Sequence, residues 1–410
     1  MALTLLVDLD DTLLDNPLEQ FLPAYLEALA SRFAPALNRD QVINNILIAT
    51  GLMMKNRRPD ITLKEVFETS FYSGLGIQPG KCQALLDTFY AEDFPKLRRL
   101  TQPRPAAREF ILGAFERGFK VGIATNALWP HTAIQQRLEW AELGVEIGTL
   151  EPVPTFDRFH FAKPDPAFFA ELLASMGWPD GAVIVVGDDG DQDIQAARQL
   201  GMTSFWIRNG REYWGGDDSP SMMGELGEVL PWIDEQARQT LLPNFTTPEA
   251  MQAILRSTPA AISSLCKGLS ETSWRRRPAP GEWAPVEIIY HLRDVDQEIH
   301  LPRLHALLQQ SNPFLPGQDG DPWAEQRGYL KMDGPRGLRD YLAVRMETIE
   351  LLRNLTAEDW QRPARHAIFG PTLLSELVNI VATHDRLHIR QLFAGLNLEL
   401  EMDEKRLSPA

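Results

Sequence analysis

LTLLVDLDDT (3–12) decides the fold of the first half of this chain. A short apolar run ends abruptly in acids, the pattern of a buried parallel strand that delivers polar side chains to a site at its carboxyl end. From about Leu18 to Ala91 the pattern turns helical, in segments such as LEQFLPAYLEALASRF (18–33) and CQALLDTFYAEDF (82–94) broken by Pro and Gly. Strand-type runs then return at FKVGIAT (119–125), GAVIVVGD (181–188) and TSFWI (203–207). Helical stretches lie between them: AAREFILGAFERG (106–118), HTAIQQRLEWAEL (131–143), PAFFAELLASM (166–176) and DIQAARQL (193–200). This alternation predicts an α/β doubly wound, Rossmann-like parallel sheet with a helical insert, approximately 16–100, after the first strand.

After Ile207 the pattern loosens through NGREYWGGDDSPSMMG (209–224), and GELGEVLPWIDEQARQ (224–239) closes a first domain of residues 1–240. Residues 241–246 read as a linker. Over 247–400 no strand-type run stands out. Four amphipathic stretches, roughly 247–268, 284–310, 335–355 and 372–396, predict an all-α four-helix bundle.

Composition narrows the function classes. A formal net charge of −16 argues against nucleic acid and anionic membranes as partners, since both need a basic surface. No apolar run reaches the length of a membrane span. MALTLLVDLDD (1–11) lacks the positive segment of a secretory signal. With two cysteines, Cys82 and Cys266, far apart and read as small core residues, the expected setting is cytoplasmic.

Asp8 and Asp10 leave the first strand at i and i+2, so their carboxylates can face one site. Two acids there permit a division of labour, one ionised as nucleophile or metal ligand and the other carrying a proton. A solvated turn would use the same residue types, but three later features favour chemistry. Thr125 in IATN (123–126) ends a strand, where its hydroxyl could bind a phosphoryl oxygen. Lys163 in AKPDP (162–166) can offset charge on a nucleophile and a transferring phosphoryl group. GDDGDQD (187–193) places Asp188 at a strand end and Asp193 five residues on, a hard-oxygen cluster suited to Mg²⁺.

These four features, in this order, resemble the motifs of the haloacid dehalogenase superfamily, and the resemblance covers residues 1–210. It implies a phosphatase in which Asp8 attacks phosphorus and forms an aspartyl-phosphate. Asp10 would protonate the leaving group and then activate water. Thr125, with Asn126 beside it, and Lys163 would hold the phosphoryl group. Mg²⁺ would bind the Asp8 carboxylate, the Asp10 carbonyl and Asp188, with Asp193 close behind; Asp189 stands where the family often has Ser, which leaves open which of Asp188 and Asp189 ligates. Members that cleave haloalkanoates lack an acid at the Asp10 position, because halide leaves without a proton, so the acid favours phosphate chemistry. The helical insert resembles a cap that closes over a small phosphorylated metabolite. Its basic cluster, Lys55, Arg57 and Arg58, reads as a solvated face.

In the second half, His384 and His388 in HDRLH (384–388) share one helix face. His291, in GEWAPVEIIYHL (281–292), lies on an earlier helix. Three histidines from two helices could hold one metal and leave a position for water or a thiol. GEW with its histidine-bearing helix, HAIFGPTLLSELV (366–378) and HDRLHIRQL (384–392) resemble the DinB-like superfamily of metal-binding bundles over residues 245–396. The resemblance implies His291, His384 and His388 as ligands for Zn²⁺, Ni²⁺ or Fe²⁺, with Gln391 and Asp385 nearby in roles left open, and His300, His305 and His366 structural. It also implies a low-molecular-weight thiol as a candidate partner. Three readings of the bundle remain: a stabilising or regulatory appendage, a second metal- and thiol-dependent transferase, or a module for forming a homodimer.

Overall fold

The computed structural model describes residues 2–33, 37–78, 80, 82–143, 150, 152–209 and 221–407, with side chains to residue 397. The chain divides into two compact units, residues 1–172 with 180–244, and residues 173–179 with 245–410.

In the first unit, β1 (Leu3–Val7) is buried along its whole length and pairs in parallel with β4 (Lys120–Ile123) on one side and β5 (Ala182–Gly187) on the other. β6 (Thr203–Ile207) and β7 (Met222–Gly224) continue the five-stranded parallel sheet, in the order β4-β1-β5-β6-β7. The near-continuous apolar runs of β1 and β5 suit strands covered on both faces. After β1 the chain builds outward first on one side and then on the other, so the carboxyl end of β1 is where strand order reverses and a crevice opens. Asp8 stands there, its N–H donating to Val186 O at 2.9 Å.

β2 (Leu14–Asp15) and β3 (Gln102–Pro103) form an antiparallel stem through which the insert leaves and returns. The insert holds α1 (Leu18–Phe33), α2 (Arg39–Met54), α3 (Leu63–Leu75) and α4 (Gln83–Thr88), then a π-helical turn (Phe89–Asp93) and a 3₁₀ helix (Phe94–Leu100). Phe21, Tyr25 and Phe94 of the insert pack edge-on, tilted or stacked against Trp129 and Trp140 of the sheet domain, with centroids 4.7 to 6.3 Å apart. α5 (Pro105–Glu116), α6 (His131–Trp140), α7 (Pro166–Ser175), α8 (Ala196–Gln199) and α9 (Val229–Glu235) complete the alternation. β7 lies in the stretch that reads as loosened in sequence, because a three-residue edge strand carries too little alternation to register. Residues 210–220 of that stretch fall outside the described residues.

The second unit contains α10 (Pro248–Leu265), α11 (Glu271–Trp274), α12 (Pro285–Val295), α13 (Leu301–Gln309), α14 (Trp323–Gln326), α15 (Gly334–Arg353), α16 (Ala357–Trp360) and α17 (Leu374–Leu407). A π-helical turn (Asp296–His300) joins α12 to α13, so α10, the α12–α13 arm, α15 and α17 are the four long members that the sequence periodicity marks. The expectation of no strand after residue 247 fails. β8 (Phe314–Leu315), β9 (Pro363–His366) and β10 (Gly370–Leu373) form a three-stranded sheet in the order β10-β9-β8. Short strands containing Pro hide in a helical background, and the hairpin depends on Gly370 at φ +76°. No described helix is long and apolar enough to cross a membrane.

Candidate functional site

At the carboxyl ends of β1 and β5 the sheet domain gathers Asp8, Asp188 and Asp193, all buried, with carboxylate oxygens within 4.8 Å of one another. Asp193 belongs to a π-helical turn (Gly190–Gln195) that Asp189 caps: one Asp189 oxygen accepts from Asp191 N and Gln192 N, both at 2.9 Å. Its other oxygen accepts from Gln192 Nε2 at 3.0 Å. Asp189 is thus occupied as a cap, and Asp188 is the member of the pair that joins the acidic cluster. Gly187 explains how Asp193 comes so near the strand: a Cβ there would stand 2.3 Å from its carboxylate.

Lys163 is buried between the acids. Its Nζ donates to Asp8 Oδ1 at 2.8 Å and also to Asp193 Oδ1. Burial alone would pull the ammonium down, but the carboxylates of Asp193 and Asp8 reverse this and hold it above the ordinary lysine range. Burial, with the Asp8 charge adding to it, pushes Asp193 up to about 7 against the pull of Lys163. This is a charged centre held together by its own counter-ion.

Thr125 is buried just beyond β4. Asn126 Oδ1 accepts from Lys163 N at 3.2 Å, while its Nδ2 donates to Gln192 Oε1 at 3.0 Å. Its amide therefore ties three loops together around Asp8. Asp10 is partly exposed, and Asn16 Nδ2 donates to its Oδ1 at 2.8 Å. Asp11, which follows Asp10, takes φ +53° and turns the chain as it leaves the site.

Two residues that sequence reading passed over, Arg137 and Glu171, and one it read as solvated, Arg57, support this centre. Arg137 of α6 is buried and ion-pairs with Asp10. Arg57 of the insert pairs with the buried Asp165 at 2.9 Å while staying half exposed, and Lys55 and Arg58 are exposed beside it as expected of a solvated face, with Arg58 paired to Asp60. Glu171 accepts from His160 N at 3.0 Å and Phe161 N at 3.2 Å, and its carboxylate meets His160 Nδ1 at 2.7 Å, fixing the strap that leads into Lys163. A buried Glu in an apolar helix such as PAFFAELLAS is the signal that could have revealed it.

In the second unit the Nε2 atoms of His291 and His388 lie 3.0 and 3.1 Å from His384 Nε2. Burial first, and the neighbouring imidazole of His388 second, pull His291 down to about 3. Burial likewise lowers His384 and His388. Three neutral nitrogens converging on one point cannot all be paired by sharing protons, whereas one divalent cation satisfies all of them. The donor set therefore fits a metal. Gln391 Oε1 meets His388 Nδ1 at 3.0 Å and orients that ring, and Trp283 stacks on His388 with centroids 5.7 Å apart. A cleft of about 700 Å³ opens beside the histidines, lined by Trp283, Asp321, His384, His388 and Gln391 among others.

Asp385 does not reach the imidazoles. It is buried and shares the Arg345 guanidinium with Asp296, whose other contact is His300 Nδ1 at 3.0 Å. His305 is exposed, and His366 accepts from Ile368 N at 3.2 Å inside the hairpin, so neither joins the cluster. Both cysteines are free and buried, and burial pushes both thiols up.

Comparison with known proteins matches two families. Residues 3–201 match the model of the haloacid dehalogenase-like hydrolases, and residues 254–392 match that of the DinB superfamily. A phosphoglycolate phosphatase of Pseudomonas savastanoi is 24% identical over 176 residues, covering 42% of this chain and 62% of that protein. A phosphoserine phosphatase of Thermus thermophilus is 27% identical over 156 residues, covering 38% of this chain and 59% of that protein. The chain thus spans about three fifths of the length of these two curated relatives. Among solved structures, the four-helix bundle YfiT from Bacillus subtilis aligns with 41% of this chain and 91% of its own, at 18% identity and a TM-score of 0.34.

Proposed function

Because residues 3–201 form a haloacid dehalogenase-like hydrolase domain and residues 254–392 a DinB superfamily domain, we propose that the chain is a Mg²⁺-dependent phosphatase of a small phosphorylated metabolite with an appended tri-histidine metal centre. The observation that carries this reading is Lys163 bridging Asp8 and Asp193 at the strand ends. Asp8 is the nucleophile: its carboxylate oxygen attacks phosphorus in line, giving an aspartyl-phosphate and releasing the alcohol or other leaving group. Lys163 offsets charge on the transferring phosphoryl oxygens, and Thr125 offers a hydroxyl to them. Asp10 borders the crevice and moves the proton, and Asn126 keeps the Lys163 loop in register. Asp8, Asp188 and Asp193, with the Asp10 carbonyl, are the residues that would hold Mg²⁺. When bound, the ion would supply charge neutralisation at the phosphoryl oxygens.

The relatives support phosphatase chemistry in kind, and the substrate itself is left to assay. A panel of phosphorylated metabolites with Mg²⁺ is the test: turnover in the native protein and its loss in Asp8→Ala support the reading, and full activity in Asp8→Ala overturns it.

For the bundle, His291, His384 and His388 would hold Zn²⁺, Ni²⁺ or Fe²⁺, and the adjoining cleft favours a centre that admits a ligand such as a small thiol. Metal content unchanged in a His384→Ala/His388→Ala variant would remove the site. Bound metal with no thiol transfer would favour the regulatory or homodimer readings. The scarcity of cysteine and the buried free thiols support a cytoplasmic setting.

A further inference from the structure

α2 of the insert is apolar on two opposite sides, and only one of them is covered. Val42, Ile46, Ala49 and Met53 are buried, and on that side α2 packs against α1 and α3. On the other side Leu47, Ile48 and Leu52 are 47%, 50% and 45% exposed and adjoin one another. A single exposed leucine is ordinary, but three adjoining apolar side chains leave a contiguous patch in water, and a helix apolar all round is normally covered all round.

The order of residues along this stripe says what fits it. At about 100° per residue the stripe reads alike from both ends, about a point between Leu47 and Ile48. Turned end for end on a second copy, Leu47 falls opposite Ile48, the half-buried Ile43 opposite Leu52, Asn44 opposite Gly51, and Asp40 opposite Lys55. A two-fold axis requires this self-complementarity, because each contact is made twice. A Cβ on Gly51 would meet nothing within 4 Å, so the helix surface is open where the second copy's Asn44 arrives.

The charges match as well. Asp40 and Lys55 are exposed, and neither forms an ion pair among the described residues. They stand about 22 Å apart along the helix axis, too far to meet within one chain. Across an antiparallel pair of helices they come side by side, twice.

We propose that two copies of this chain associate through α2 of the insert, as an antiparallel helix pair about a two-fold axis between Leu47 and Ile48, with Asp40 of each copy paired to Lys55 of the other. Apolar side chains fill the middle of the contact and opposite charges close its two ends, the layout of a specific interface with a polar rim. The pairing stands apart from both the phosphatase centre and the histidine bundle.

Analytical ultracentrifugation of the full native chain tests it. One helix pair is a small contact, so a monomer–dimer equilibrium with a dissociation constant of about 1–100 µM is expected. Ile48→Glu places an acid beside the axis from each copy and should weaken association by about 100-fold or more. Lys55→Glu sets like charges against each other and should weaken it by about 10-fold or more. Adding Asp40→Lys to Lys55→Glu restores opposite charges, and the affinity should return to within about threefold of the native value. These positions are exposed, so each variant should keep the native circular dichroism; if Ile48→Glu does not fold, the charge exchange carries the test. A native chain still monomeric at about 300 µM overturns the proposal. So does a dimer of native affinity in Ile48→Glu, which would belong to another surface, or a charge exchange that fails to restore Lys55→Glu. Binding of the monomer to phosphatidylcholine vesicles that is lost in Ile48→Glu would assign the stripe to a lipid surface and overturns it equally.

Discussion

The two centres solve the problem of burying polar groups in opposite ways. In the first unit three carboxylates are brought together around a buried ammonium, and Lys163 keeps the cluster compact with groups the chain itself supplies. In the second unit three imidazoles meet nitrogen to nitrogen, the exposed Asp321 carboxylate standing 3.9 Å from His291, and burial keeps them neutral. The first arrangement sets carboxylates against an ammonium, and the second gathers lone pairs whose donor set suits a divalent cation. The difference also shows in their supports. Arg137 and Asn16 act on an acid that borders the crevice, whereas the buried Asp296–Arg345–Asp385 set beneath the histidines ties α15 to α17 and to the turn after α12.

This contrast can be broken in several ways, the first being the most severe. Asp8→Ala should lower phosphate release by about 10⁴-fold or more, read in steady state with Mg²⁺, while leaving the metal content of the bundle unchanged. Arg345→Met removes the cation of a buried ionic set and leaves Asp385 without it and Asp296 with His300 alone, so denaturant unfolding of the second unit should show a loss of about 3–5 kcal/mol. A loss below about 1 kcal/mol would mean that the set does not hold the helices together.

Acid should separate the two units as well. The histidines bind protons more weakly folded than unfolded, and His291 is pulled down to about 3 from the usual value near 6.5. In metal-free protein the stability they contribute is fully present above pH about 6.5 and falls as pH drops from there toward about 3, where the folded form of His291 also takes up its proton. Thermal unfolding of the chelated protein across that window should show the loss, and a flat profile would contradict the buried, neutral state. The mildest expected effect belongs to Gln391→Ala, which frees His388 Nδ1 and should weaken metal affinity by about 10- to 100-fold, measured by chelator competition.

Much of this was legible in the sequence for a physical reason. Asp8, Lys163 and Asp188 follow strand or strap segments whose apolar runs are unambiguous, and His384 and His388 share a helix face by periodicity alone. Arg137 and Arg345 were not legible, because a charged residue in an amphipathic helix reads as solvent-facing until its neighbours are known. Within DYLAVRMETIELL the buried face runs Tyr341, Arg345, Thr348 and Leu352, a stripe that places the arginine inward only in retrospect. Asp189 shows the converse limit: beside Asp188 the sequence does not reveal which acid caps the following turn, and the two backbone N–H groups that Asp189 accepts from show that it does. The small sheet of β8, β9 and β10 escaped notice because two- and four-residue strands lie below the length at which alternation can be read.

The claim on which the account turns is that Asp8 carries the phosphoryl group. Acid quenching of an Asp10→Asn variant during turnover, followed by mass analysis of the N-terminal peptide, tests it directly, since that variant lacks the base for the water step. The expected result is a base-labile gain of one phosphoryl group on the peptide holding Asp8, absent when Asp8→Ala is added. Turnover with no modified peptide, or with the phosphoryl group on another residue, would contradict it.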